Sequence, residues 1–135
     1  MRLIVPSLLI AIVVLAGCQS TAEVSPEIQA QTCPGFDAPG GGEAKVRYVD
    51  RPEVTVEATR CVMRNGLMRI DIDIRNGRRT EQRIAYRFEW YEAHGMSLDT
   101  EEAWKPVLLY PEDVITLRAV APSSAVEDFV LVIKS

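Results

Sequence analysis

The stretch LMRIDIDIR, residues 67–75, alternates without a break. Met68, Ile70, Ile72 and Ile74 fall on one side, and Arg69, Asp71, Asp73 and Arg75 on the other. A period of two over this length is extended backbone with one buried face, since a helix would scatter the isoleucines around its circumference. A strand like this needs an apolar surface to lie against, and the chain supplies it in kind. RIAYRFEWYEA (83–93) lines up Ile84, Tyr86, Phe88 and Trp90; DVITLRAVA (113–121) lines up Ile115, Leu117 and Ala119; EDFVLVIK (127–134) lines up Phe129, Leu131 and Ile133. Further strands are expected at 45–49, 54–63 and 105–110.

The punctuation between these runs agrees with that reading. Asn65-Gly66 joins two alternating segments, and both residues tolerate positive φ, so a tight type I′ hairpin is expected there. Pro111 and Pro122 stand at strand margins, where a missing N–H costs least. A helix is expected, if anywhere, only over SLDTEEAW (97–104), with Asp99 as its cap. About seven short strands with turn signals between them predict an all-β, antiparallel β-sandwich, two sheets covering each other's apolar faces.

The N-terminal part is of a different kind. Met1-Arg2 gives a short positive end, Leu3 to Leu15 is almost wholly apolar, and Ala16-Gly17 precedes Cys18. A transmembrane helix needs roughly 20 apolar residues, and this run gives way to Gln, Ser and Thr too early, so a signal peptide over 1–17 is expected instead. Leu15-Ala16-Gly17-Cys18 resembles the lipobox of bacterial lipoproteins, which implies cleavage before Cys18 and acylation of its thiol. Several acyl chains at about 0.8 kcal/mol per buried methylene make a stable membrane anchor. Gln19 and Ser20 follow, without the aspartate that resembles an inner-membrane retention signal, so the outer membrane, periplasmic side, is the expected location. Residues 18–43, rich in Gln, Ser, Pro and Gly and including APGGGEA (38–44), read as a lipidated tether, with the sandwich domain over 44–135.

Loss of the first 17 residues removes Arg2 and takes the formal charge from −4 to −5. No basic patch remains that would suit nucleic acid. Export also decides how Cys33 and Cys61 are read. With Cys18 committed to lipid, an oxidising compartment favours a disulfide between the remaining two, which would clip part of the tether to the domain. Two cysteines and one histidine form no zinc spacing, and no metal site or small-molecule cofactor is expected.

RNGLMRIDIDIRN (64–76), YRFEWYEAHG (86–95), AWKPVLL (103–109) and VAP (120–122), taken in that order, resemble the YcfL-like family of small bacterial outer-membrane lipoproteins. The resemblance implies an immunoglobulin-like sandwich and no known catalytic residues. The Cys33 and Cys61 pair is not associated with that family and rests on the compartment argument alone.

Candidate chemistry is sparse. His94, the one histidine, sits beside Gly95 at an expected turn with no nucleophile motif near it. Asp71 and Asp73 share a strand face and could suggest a carboxylate pair or a calcium site, but Arg69 and Arg75 flank them, and cross-strand ion pairs are the better account. Tyr91, Trp104 and Tyr110 are the aromatic residues least bound to a core, and they are the candidate binding residues; Trp104 could equally plug an open end of the sandwich. The expected function is a membrane-anchored, non-catalytic binding or accessory module for a periplasmic envelope protein, which could add a strand at an open sheet edge. The alternative is a small envelope hydrolase acting on glycan or peptide.

Overall fold

The computed structural model describes residues 31–33 and 45–135. The expected signal peptide, Cys18 and most of the tether lie outside the described residues. Among the described residues there are eight strands: β1 (Gln31–Thr32), β2 (Val46–Val49), β3 (Val54–Arg64), β4 (Leu67–Asn76), β5 (Gln82–Tyr91), β6 (Lys105–Leu109), β7 (Val114–Val120) and β8 (Asp128–Lys134). They form two four-stranded sheets, ordered β1-β3-β4-β7 and β2-β8-β5-β6. The seven strands expected from the sequence are all there, in an immunoglobulin-like sandwich. All pairings are antiparallel except β2 with β8, which is parallel.

The hairpin between β3 and β4 turns on Asn65 and Gly66 at φ 52° and 74°, and closes on the Arg64–Leu67 pair. Both residues lie in the left-handed region that a type I′ turn needs. Beyond it, Met68, Ile70, Ile72 and Ile74 are buried, together with Ile84, Phe88, Trp90, Leu117, Phe129, Leu131 and Ile133. Phe88 and Trp90 stack at 5.5 Å between ring centroids, and Phe129 tilts against both at 6.0 and 6.4 Å. Burying side chains of this size stabilises by about 1.5–3 kcal/mol each, so this aromatic cluster outweighs any single surface contact.

One end of the sandwich is closed by polar groups. Asn76 and Gln82 are buried. The Asn76 amide donates to the carbonyls of Thr80, Leu109 and Tyr110, and its oxygen accepts from the Arg78 N–H and from Gln82 Nε2. Gln82 in turn accepts from the Glu53 N–H and donates to the Glu53 carbonyl. Two side chains thus satisfy backbone from three loops that would otherwise be buried unpaired.

β1 was not expected. It pairs with β3 through Gln31–Met63 and Thr32–Val62, and Cys33 follows, disulfide-bonded to Cys61 with Cα atoms 5.4 Å apart. Both cysteines are buried. The expected helix over 97–104 is corrected: this segment is irregular, with a short 3₁₀ turn at Ala93–Gly95 before it and no cap at Asp99. Its backbone is already engaged elsewhere, because the Leu98 N–H goes to the Trp90 carbonyl and Ser97 bridges Tyr91.

Candidate interaction surfaces

Side chains on the outer face of β5 alternate with the core residues, so Arg87, Glu89 and Tyr91 share one surface. Glu89 is its hub. It accepts from Arg47 at 2.6 Å, Arg87 at 3.2 Å and the Tyr91 hydroxyl at 3.2 Å. Burial pushes the Glu89 carboxyl up, but the Arg47, Arg87 and Tyr91 donors outweigh it and the net shift is downward. Trp104 lies against the same surface, with the Arg87 guanidinium 4.6 Å and the Lys134 ammonium 4.1 Å from its ring centroid. Such contacts are favourable because the ring face is electron-rich. Val132, which register sets between Arg47 and Arg87, is buried here apart from the main core.

The structure therefore links Tyr91 and Trp104 through Glu89 and Arg87, and leaves Tyr110 elsewhere. Tyr110 is 57% exposed and follows Leu109, the partner of Gln82 at the opposite end of β5. At roughly 3.3 Å per residue it stands about 30 Å from Tyr91, too far to share one contact patch. Trp104 lies on the sheet face rather than in an open end of the sandwich.

The two candidate aspartates are accounted for by surface pairing. Asp73 accepts two bonds from Arg60 and one from Thr116, and Asp71 pairs with Arg118 at 3.4 Å, so the aspartates meet cross-strand cations as expected. His94 is exposed at φ 61° on the rim of a cleft of about 480 Å³ shared with Lys45, Tyr91, Glu92, Glu127 and Asp128. No hydrogen bond among the described residues orients its ring. No group of three or more His, Cys, Asp or Glu among the described residues is placed to hold a metal ion.

The sheet edges differ sharply in how they are guarded. β6 has Pro106 opposite Ala85. Because Pro106 has no N–H, this is a non-hydrogen-bonded pair, and the proline blunts the edge that β6 turns to solvent. The other half of β5 has no β6 beside it; there Glu102 substitutes for a strand, accepting from the Phe88 N–H at 3.3 Å and the Trp90 indole at 3.0 Å. β3 carries a register shift between Val56 and Ala58 and is covered at 62–63 by β1. β2 is four residues long and runs into Asp50 and Arg51, both at positive φ, and then Pro52.

β7 has none of these devices. Beside it the Asn76 N–H of β4 donates to the Asp113 carbonyl and the Ala121 N–H donates to the Met68 carbonyl of β4, so odd-numbered residues face β4. By alternation Val114, Thr116, Arg118 and Val120 turn their backbone N–H and C=O groups to the open side. Val114 and Val120 are 40% and 50% exposed. Two arginines of β4 stand beside them, Arg75 next to Val114 and Arg69 next to Val120. Arg75 is engaged by Glu57 and the Glu112 carbonyl, whereas exposed Arg69 has no partner among the described residues. A cleft of about 270 Å³ opens at the Val120 end, lined by Arg69, Asp71, Glu102, Lys105, Arg118 and Val120 among others. Nothing in the sequence marked this edge, since strand order decides it; the absence of proline in VITLRAV was the one available sign.

Two solved structures share this architecture. The crystal structure of Campylobacter jejuni cj0090 is 21% identical with a TM-score of 0.59, covering 67% of this chain and 97% of that one. That of a DUF1425 family member from Shewanella sp. pv-4 is 24% identical with a TM-score of 0.57, covering 64% and 85%. At these identities the likeness speaks for the fold alone. No curated protein matches the chain. Residues 48–135 match the family described as "Protein of unknown function (DUF1425)", a span that takes in β3 to β8 whole, and the chain belongs to that family.

Proposed function

We propose that this chain is a YcfL-like lipoprotein, acylated at Cys18 and held at the periplasmic side of the outer membrane, that acts as a non-catalytic binding module for an envelope protein. The observation that carries the binding role is β7, a seven-residue edge without proline or bulge and with no strand on its far side among the described residues. Its open side offers four residues' worth of backbone donors and acceptors, the surface to which an extended segment adds as a new strand. Such an edge left bare invites indiscriminate pairing, which folded domains ordinarily block. The anchoring part rests on the lipobox resemblance and on the apolar run that precedes it.

The test uses the full lipidated chain in cell envelopes, with a photo-crosslinking residue in place of Arg118. A specific partner crosslinked through an extended segment, and lost in Thr116→Pro, supports the proposal. Thr116 turns its N–H outward, so proline removes an edge donor and spares the β4 ladder. The same partner captured undiminished by Thr116→Pro, or release of glycan or peptide fragments that His94→Ala abolishes, would refute it. Labelled palmitate incorporated by the native chain but not by Cys18→Ser tests the anchor separately.

A further inference from the structure

Strand addition at β7 leaves open what kind of segment is accepted. Resting on the binding role just proposed, we infer that the β7 edge selects an extended segment bearing a carboxylate at the residue that pairs with Val120. The two flanking arginines are held differently. They occupy equivalent places on β4, each directly beside a half-exposed valine of the edge strand. Arg75 is paired with Glu57 at 2.6 Å and donates to the Glu112 carbonyl at 3.0 Å, so the cation at the Val114 end already has its counter-charge. Arg69 has no partner among the described residues, and the other cations of its cleft are loosely held: Arg118 lies 3.4 Å from Asp71 and is 77% exposed, and Lys105 lies 3.6 Å from Glu102. On an acidic chain this is a local excess of one positive charge at one end of one edge.

A residue added opposite Val120 projects on the same outward face as Val120 and Arg69, about 10 Å from Arg69 in the sheet, two strand spacings of about 4.8 Å. An arginine and a glutamate reaching toward each other across the valine span that gap. The cleft leaves room for them. A second copy of this chain is a poorer occupant. Antiparallel self-pairing centred on Leu117 sets Val114 against Val120 and continues the row into the partner's own Arg75, bringing no carboxylate to Arg69.

The experiment titrates the full chain in detergent with two capped nine-residue peptides of alternating threonine and valine. They are alike except for one residue near an end, glutamate in one and lysine in the other. The glutamate peptide should bind about threefold to fivefold more tightly at low ionic strength, the range of an exposed ion pair, with the preference fading as salt rises. Arg69→Gln should erase the preference and keep the binding, while Thr116→Pro should abolish binding of both peptides. Equal affinities for the native chain, or a glutamate preference that survives Arg69→Gln, overturn the carboxylate assignment and leave the edge standing. Failure of both peptides to bind, binding indifferent to Thr116→Pro, or self-association through β7 overturns the edge itself.

Discussion

Arg60 and Asp73 are joined fork to fork, with Nη1 and Nη2 each 2.8 Å from its own carboxylate oxygen, although the register sets Arg60 opposite Asp71. The diagonal reach frees Asp71 for Arg118 on the other side, so β3, β4 and β7 are laced across their outer face. The Thr116 hydroxyl adds a third bond to Asp73 at 2.6 Å.

This arrangement sets a pH dependence. The Arg60 bonds, and then Thr116, hold the Asp73 carboxyl down to about 2, below its ordinary value of 3.8. A carboxyl depressed by folding contributes stability above its unfolded pKa and loses it as pH falls through the folded one. The contribution is therefore whole above about pH 4 and fades toward pH 2. A carbon-detected NMR titration should place the Asp73 midpoint near 2, and Asp73→Asn should flatten the acid limb of the stability curve between those values. A midpoint near 4 would contradict the fork.

The Cys33–Cys61 bridge spans 28 positions of sequence and closes a loop that the unfolded chain would otherwise explore freely. Loop-closure entropy of that size corresponds to about 3–4 kcal/mol. Replacing both cysteines by serine should lower unfolding stability by that order, read from the denaturant midpoint. A loss well under 1 kcal/mol would mean that the pairing of β1, rather than the bond, secures this segment.

Glu102 is the acceptor that finishes the β5 edge, so Glu102→Ala leaves a buried indole N–H and a backbone N–H without partners. The expected cost is about 2–4 kcal/mol, with a change in the emission of Trp90. Glu102→Gln retains an acceptor oxygen and should lose less. Equal loss in the two variants would assign the effect to charge rather than to edge pairing.

Asn76→Ala strips three carbonyls and two donors of their partner at the closed end of the sandwich. Orphaned buried groups of this kind make it a severe substitution, about 2–4 kcal/mol, checked by thermal unfolding. Asn76→Asp supplies the acceptor but not the donors, and should not restore it.

How much of this was written in the sequence depends on the length of the interaction. The strands with strict alternation, β4, β5, β7 and β8, were legible because one buried face imposes period two on local sequence, and Asn65-Gly66 was legible because few residues tolerate two positive φ angles in a row. The Arg-Asp lacing was visible as alternating charge on one face. Residues 97–104 misled, since their acidic, helix-favouring composition carries no trace of Glu102 and Leu98 being claimed by β5. β1 was invisible because two residues have no period. The parallel docking of β2 on β8 escaped for the same reason that β7's bareness did: strand order is a property of the assembled sheets. Of the three aromatic candidates, composition marked all three alike, and only the geometry separated Tyr110 from the pair linked through Glu89.

The bridge also decides how the domain bears load. A pull on the chain ahead of Cys33 passes through sulfur directly into β3 at Cys61, and the 34–60 segment that runs between them in sequence is mechanically bypassed. Tension is then carried by the ten-residue β4 ladder at the heart of one sheet, while β2, held by four parallel pairs to β8, stays slack. Cut the bond, and the same pull would strip the two residues of β1 from β3 and then travel along the backbone to β2.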